Sequence, residues 1–214
     1  MIKMARMEEQ TRSADRSVRR KLLAGAAELF TRKGYAATTV REIVASAGVT
    51  KPVLYYYFHN KEGIYLELMR ETFAKADGLL ASALEEQGTA TAKLKRFFDQ
   101  AFSLFLESVQ GVRVMYAIYY GPHQGAPFFD FEAYHRRIQQ TIRRLVEEGI
   151  RQGEFRKGNV EDMTWAILGA LNVAIEVHLG HPENSLGRKG LARALQVIFQ
   201  GIWTKKGTEK GTRK

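Results

Sequence analysis

Residues 39–62 read TVREIVASAGVTKPVLYYYFHNKE, and this run decides the fold. It opens on Thr39-Val40-Arg41-Glu42, which has the form of a capping box. The Thr39 hydroxyl accepts from the amide three residues on, and the Glu42 carboxylate reaches back to the N–H of Thr39. A short helix follows and stops near Ala47-Gly48, because glycine enters the left-handed conformation without steric cost. A second short helix starts around Thr50-Lys51-Pro52, where proline is tolerated since first-turn amides lack intrahelical partners. Two short helices joined by a glycine-containing turn form a helix-turn-helix, whose second helix enters a major groove while the first anchors on the backbone. At helical spacing Leu54 and Phe58 face inward, toward Ile43 and Val49, leaving Lys51, Val53, Tyr55, Tyr56 and Tyr57 to project outward. Three consecutive tyrosines make sense on a solvated face if their hydroxyls reach phosphates and their rings lie on sugars or thymine methyls.

Working outward, the chain reads as all-α, with about nine helices. Upstream, Val18, Leu22, Leu23, Ala26, Leu29 and Phe30 form one apolar stripe over about Arg16 to Lys33, and Gly34 stops that helix. Downstream, Asn60 caps a long helix from Lys61 toward Gln87. Five more are expected at about Thr91–Ser108, Val112–Tyr120, Pro127–Arg151, Asn159–Leu179 and Ser185–Trp203, divided by Gly121-Pro122, Gly125, Gly153 and Gly180 with Pro182. The Asn159 helix is apolar almost all round and so needs cover on both sides.

Charge divides the same way. Residues 1–61 hold 12 Lys/Arg against 5 Asp/Glu, residues 62–204 hold 16 against 17, and residues 205–214 hold 5 against 1. The overall balance is +10, so the basic charge sits at the two ends and the large middle is neutral. A basic head needs a polyanionic partner, and duplex DNA is the usual one. The expected organisation is a basic flexible arm over 1–15, a helix-turn-helix domain over 16–66, a helical ligand-sensing and dimerisation domain over 67–204, and a basic tail over 205–214. Arg6, Arg12, Arg16, Arg19, Arg20 and Lys21 precede or open the first helix, either along the DNA or as a solvated leader. The chain has no cysteine, so thiolate and disulfide chemistry are excluded. A charged N-terminus and an apolar run of Trp165 to Leu179 broken by Asn172, Glu176 and His178 point to a soluble, cytoplasmic protein with no membrane partner.

The run Gly34-Tyr35-Ala36-Ala37-Thr38-Thr39-Val40-Arg41-Glu42-Ile43, then Ala47-Gly48-Val49, then Leu54-Tyr55-Tyr56-Tyr57-Phe58-His59-Asn60-Lys61-Glu62, resembles the DNA-binding domain of the TetR (tetracycline-repressor) family over about residues 16–66. Gly149-Ile150-Arg151-Gln152-Gly153-Glu154-Phe155-Arg156 resembles a segment that often links two C-terminal helices in such regulators. The resemblance implies that Thr39 and Arg41 touch phosphate and that Thr50, Lys51, Pro52, Val53, Tyr55 and Tyr57 form the reading face. It implies that Tyr56 and Lys61 bind phosphate, Lys61 at a helix N-terminus that itself attracts anions. It further implies a repressor, acting as a homodimer on a pseudo-palindromic double-stranded DNA operator and released by a small, largely apolar inducer.

Phe98, Phe102, Tyr116, Tyr120, Phe131, Tyr134, Trp165 and Asn172 are the candidate pocket residues, as aromatic walls with a few polar handles. The last two helices are expected to pair with their copies through Gly169, Ala170, Ala174, Leu191, Leu195, Ile198, Phe199 and Ile202. No nucleophile elbow, phosphate-binding glycine loop or His-Glu-x-x-His run occurs, so no catalytic residue, cofactor or metal is expected.

Overall fold

The computed structural model describes residues 2–122 and 125–203, with the backbone alone for residues 2–14. Among them it contains nine α-helices: α1 (Ile2–Lys33), α2 (Val40–Ala47), α3 (Lys51–Phe58), α4 (Lys61–Glu85), α5 (Ala90–Glu107), α6 (Val109–Tyr119), α7 (Phe131–Arg151), α8 (Val160–Gly180) and α9 (Gly187–Ile202). The all-helical expectation holds. Two boundaries differ most from the sequence reading. Helix α1 begins at Ile2 rather than Arg16, because residues 2–15 contain neither Gly nor Pro and are rich in strong helix formers. The segment expected as a flexible arm is therefore helical backbone continuous with α1. Helix α7 begins at Phe131 rather than Pro127, because the Asp130 carboxylate accepts from the Ala133 N–H at 2.9 Å and sets the cap there. The basic tail, 205–214, lies outside the described residues.

The chain divides into two compact units, Met1–Phe73 with Ser108–Phe129, and Ala74–Glu107 with Asp130–Lys214. The first unit thus extends past the expected limit at residue 66 and takes in α6, which packs on α1. Its core draws Leu22, Ala26 and Phe30 from α1, Ile43 from α2, Leu54 and Phe58 from α3, and Ile64, Tyr65 and Met69 from α4, all buried. Each large side chain removed from water contributes about 1.5–3 kcal/mol, so the two short helices are held by their inward faces rather than by their own propensity. Phe30, Tyr35 and Tyr65 form a ring cluster with centroids 5.3–6.2 Å apart.

In the second unit α7 packs on α8, α8 on α9, and α5 on both α7 and α9. Phe98, Phe102, Ile142, Leu145, Ile167, Leu171, Leu195 and Phe199 fill it. Lys93 of α5 donates to both carboxylate oxygens of Glu148 on α7, at 2.8 and 3.1 Å, within this core. The segment Gly149 to Arg156 has a structural task. Glu154 accepts from the N–H groups of Ala90 and Thr91, at 2.6 and 3.2 Å, and so satisfies first-turn amides of α5 that lack intrahelical partners. Phe155 turns inward and stacks on Phe199 with centroids 6.1 Å apart. Helix α8 is long and apolar enough to cross a membrane by length and composition, but Ile167, Leu168 and Leu171 are buried within the unit.

Candidate nucleic-acid interface

Local chemistry builds the reading edge of the first unit. The capping box forms as expected: the Glu42 N–H donates to Thr39 Oγ1 at 3.3 Å, and the Thr39 N–H donates to Glu42 Oε2 at 2.9 Å. Lys33 also donates to Glu42, and these hydrogen bonds, that of Lys33 foremost, hold the carboxyl pKa at about 2. Gly48 takes φ 66°, and the Val49 N–H returns to the Val44 carbonyl at 3.0 Å, closing the turn. Thr50 then starts α3 with extended backbone and, among the described residues, no hydrogen bond from its hydroxyl.

Leu54 and Phe58 are buried, which turns the opposite face of α3 to solvent. Tyr55 is 47% and Tyr56 76% exposed, large values for aromatic side chains. Lys51, Pro52 and, at the start of α2, Arg41 are exposed as well, and Val53 is half-buried. Neither Arg41 nor Lys51 has an ion-pair partner among the described residues. The edge therefore presents two free cations, the Thr50 hydroxyl and two tyrosines, a set suited to phosphate and base-edge contacts.

Three expected residues are placed otherwise. The Tyr57 hydroxyl turns back to α1 and donates to the Asp15 carboxylate, a bond that pushes its pKa up to about 12. The Lys61 ammonium donates to the carbonyls of Tyr35 and Thr38, both at 2.9 Å, rather than standing free at the helix end. Burial, and then the Lys33 charge, lower its pKa. The Thr39 hydroxyl is held by the Glu42 carboxylate at 2.7 Å.

Sequence reading missed the residues that fix α3 against α4. His59 adopts φ 62°, and the Asn60 N–H donates to the Phe58 carbonyl at 2.7 Å, a three-residue turn. Asn60 Oδ1 then caps α4 by accepting from the Gly63 N–H at 2.7 Å, as its position suggested. Arg19, expected either along the DNA or in a solvated leader, donates to Glu67 at 2.5 Å and to Glu71, and its guanidinium lies 5.6 Å from the Phe58 ring centroid. It ties α1, α3 and α4 together.

The pocket candidates divide between the two units. Phe98, Phe102 and Phe131 are buried in the second unit, whereas Tyr116 and Tyr120 belong to the first. Tyr134 and Asn172 are half-buried in the second unit. Trp165 is 53% exposed on α8, with its Nε1–H donating to Glu161 at 3.0 Å. Aromatic composition alone does not separate core from lining.

A donor-rich helix-turn-helix on a helical scaffold defines the class as a DNA-binding regulator. The model of bacterial regulatory proteins of the tetR family matches residues 22–68, and that of the tetracyclin repressor-like C-terminal domain matches residues 87–176. The chain belongs to the TetR family, whose members it matches as transcriptional regulators and not as enzymes. It is 29% identical over 206 residues to the transcriptional repressor KstR2 of Mycolicibacterium smegmatis, covering 94% of this chain and 98% of that one. The crystal structure of PfmR from Thermus thermophilus is similar at 28% identity and TM-score 0.65, over 84% of this chain and 97% of that one. The ketosteroid transcriptional regulator KstR2 of Mycobacterium tuberculosis shares the fold at TM-score 0.70 and 22% identity, over 87% and 95% of the two chains.

Proposed function

We propose that this protein is a cytoplasmic repressor that binds a pseudo-palindromic operator as a homodimer and is released by a small, largely apolar inducer held in the second unit. The observation that carries the reading is the exposed set Arg41, Thr50, Lys51, Tyr55 and Tyr56 along one edge of α2 and α3, whose two cations have no ion-pair partner among the described residues. Arg41 and Thr50 meet phosphate, Lys51 and the two tyrosines meet base edges and sugars, and Val53 lies near a thymine methyl. Tyr57 acts through Asp15, as a residue that positions α3. Two half-sites about 34–36 Å apart require two copies of α3, hence a dimer.

Supporting the dimer, adjacent α8 and α9 leave apolar residues uncovered: Trp165 and Val173 on α8 and Val197, 69% exposed, on α9. Gly169 and Ala170 on α8 allow close approach along that face. Supporting the apolar inducer is full-length similarity to a KstR2 repressor, a protein whose Mycobacterium tuberculosis counterpart is a ketosteroid regulator. An inducer releases DNA only through its preference for the non-binding conformation.

The test is selection of bound sequences from a random duplex pool, with Lys51→Ala/Tyr55→Ala as the comparison. An enriched two-fold symmetric site that the double variant fails to retain is the expected result. Enrichment of a single asymmetric half-site would overturn the dimer, and equal retention by the variant would overturn the reading face. Sedimentation of Val197→Glu, expected to run as a monomer, locates the interface.

A further inference from the structure

Between α4 and α7, within the second unit, lies a groove of about 190 Å³ lined by Leu80, Ala81, Arg137, Gln140, Thr141 and Arg144. Sites that enclose a whole drug-sized ligand run to roughly 300–1,000 Å³, so this one takes an end of a molecule. Its α7 residues fall on one helix face by their three- and four-residue spacing. None of the lining residues is acidic. The neighbouring arginines are committed: Arg136 to Glu132 at 3.3 Å, Arg143 to Glu147 at 3.1 Å, and Arg137 to Asp77 at 2.5 Å. Arg144 has no ion-pair partner among the described residues.

Thr141 supplies the second, independent observation. The residue is only 6% exposed, but its hydroxyl oxygen keeps access to the groove and makes no hydrogen bond among the described residues. Threonine hydroxyls within helices commonly bond a carbonyl one turn back. Mid-helix threonines of this same protein do so through the carbonyl four residues back, as Thr72 does at 2.7 Å and Thr164 at 2.8 Å. The groove thus holds a guanidinium without a counter-ion among the described residues, an unpartnered hydroxyl open to it and the Gln140 amide, with Leu80 and Ala81 as an apolar wall.

We propose that this groove binds an oxyanion, the acidic end of an otherwise apolar effector. Arg144 engages the oxygens through paired N–H groups, Thr141 donates to one of them, and Leu80 and Ala81 cover the first carbons of the tail. Carboxylate and phosphate share this chemistry. The identification of the ligand as an effector rests on the regulator reading; the anion site itself does not.

The experiment is titration calorimetry on the full chain without DNA, at constant ionic strength, using decanoate, decyl phosphate and uncharged decanol. Arg144→Gln is expected to weaken the preferred anion roughly tenfold or more, the loss of one charged hydrogen bond. Thr141→Val should weaken it several-fold, and decanol binding should not change. Arg143→Gln, on a neighbouring arginine outside the lining, should leave every probe unaffected. A loss confined to decanoate assigns a carboxylate, and one confined to decyl phosphate assigns a phosphate. Equal anion affinity in wild type and both Arg144→Gln and Arg144→Ala, or no anion binding at all, would overturn the site. Operator binding, measured separately, reports on the regulator reading whatever the calorimetry gives.

Discussion

The Lys61 ammonium lies 4.2 Å from the centroid of the Tyr35 ring while it donates to the carbonyls of Tyr35 and Thr38. A cation at the start of a helix ordinarily suggests phosphate, but this one closes the loop after α1 instead. Lys61→Ala should destabilise the chain by about 2 kcal/mol, since hydrogen bonds to charged groups are worth about 1.5–3 kcal/mol. It should leave the salt dependence of DNA affinity alone. Arg41→Ala, at an exposed cation placed on phosphate, should flatten the slope of log affinity against log salt by about 0.9 without changing the melting temperature. Affinity titrations over a range of salt separate the two roles. A flattened slope with unchanged stability in Lys61→Ala would return Lys61 to the phosphate contacts.

Glu42 makes stability depend on acid. Hydrogen bonds from Lys33 and Thr39 lower its pKa from an ordinary 4.5 to about 2. Because the folded state holds the charged form, the contribution is fully present above about pH 4.5 and is lost as pH falls toward about 2. The difference in melting temperature between wild type and Glu42→Gln should therefore be constant at neutral pH and shrink below pH 4.5. A difference that is flat across the acid range would mean that the box does not form in solution.

What was legible in the sequence was local. The capping box, the Gly48 turn, the Asn60 cap and the inward Leu54 and Phe58 all follow from interactions within one or two helical turns. Tyr57, Lys61 and Arg19 carried donors of the right kind for DNA, but their partners Asp15, Tyr35 and Glu67 lie 42, 26 and 48 residues away. Helical periodicity says nothing about such pairings. The extension of α1 to Ile2 was masked by charge: residues 2–15 lack an apolar stripe, though their intrinsic propensity is helical. In the second unit, Phe98 and Phe102 as core and Arg144 with Thr141 as lining are distinguished only by tertiary packing.

The Lys93–Glu148 pair is shielded enough for its removal to matter. Their side chains are 8% and 17% exposed, so Lys93→Ala leaves a carboxylate with little water and no counter-charge. Breaking such pairs costs about 3–5 kcal/mol, whereas apolar replacement of both partners is often neutral. In urea unfolding, Lys93→Ala should lose most of that, and Lys93→Met/Glu148→Leu should recover nearly all of it. Equal destabilisation by the single and double variants would show that packing, not charge, decides the site.

Gly63 sits against the end of α3. A Cβ on it would lie 1.9 Å from the Phe58 carbonyl oxygen, a backbone atom with no freedom to swing aside. That carbonyl is itself fixed, because it accepts from Asn60 across the turn at His59. Gly63→Ala must therefore displace α3 relative to the first turn of α4, and DNA affinity should fall further than stability does. His59→Gly acts in the opposite direction. The φ of 62° costs a non-glycine residue on the order of 1–3 kcal/mol, and glycine returns about 0.5–1 kcal/mol of that as unfolded-state entropy. The net expectation is stabilisation of about 1 kcal/mol with operator affinity unchanged. Thermal melts and operator titrations of the two variants decide it: a Gly63→Ala protein that binds DNA like wild type would show that the junction tolerates movement and does not set the angle of α3.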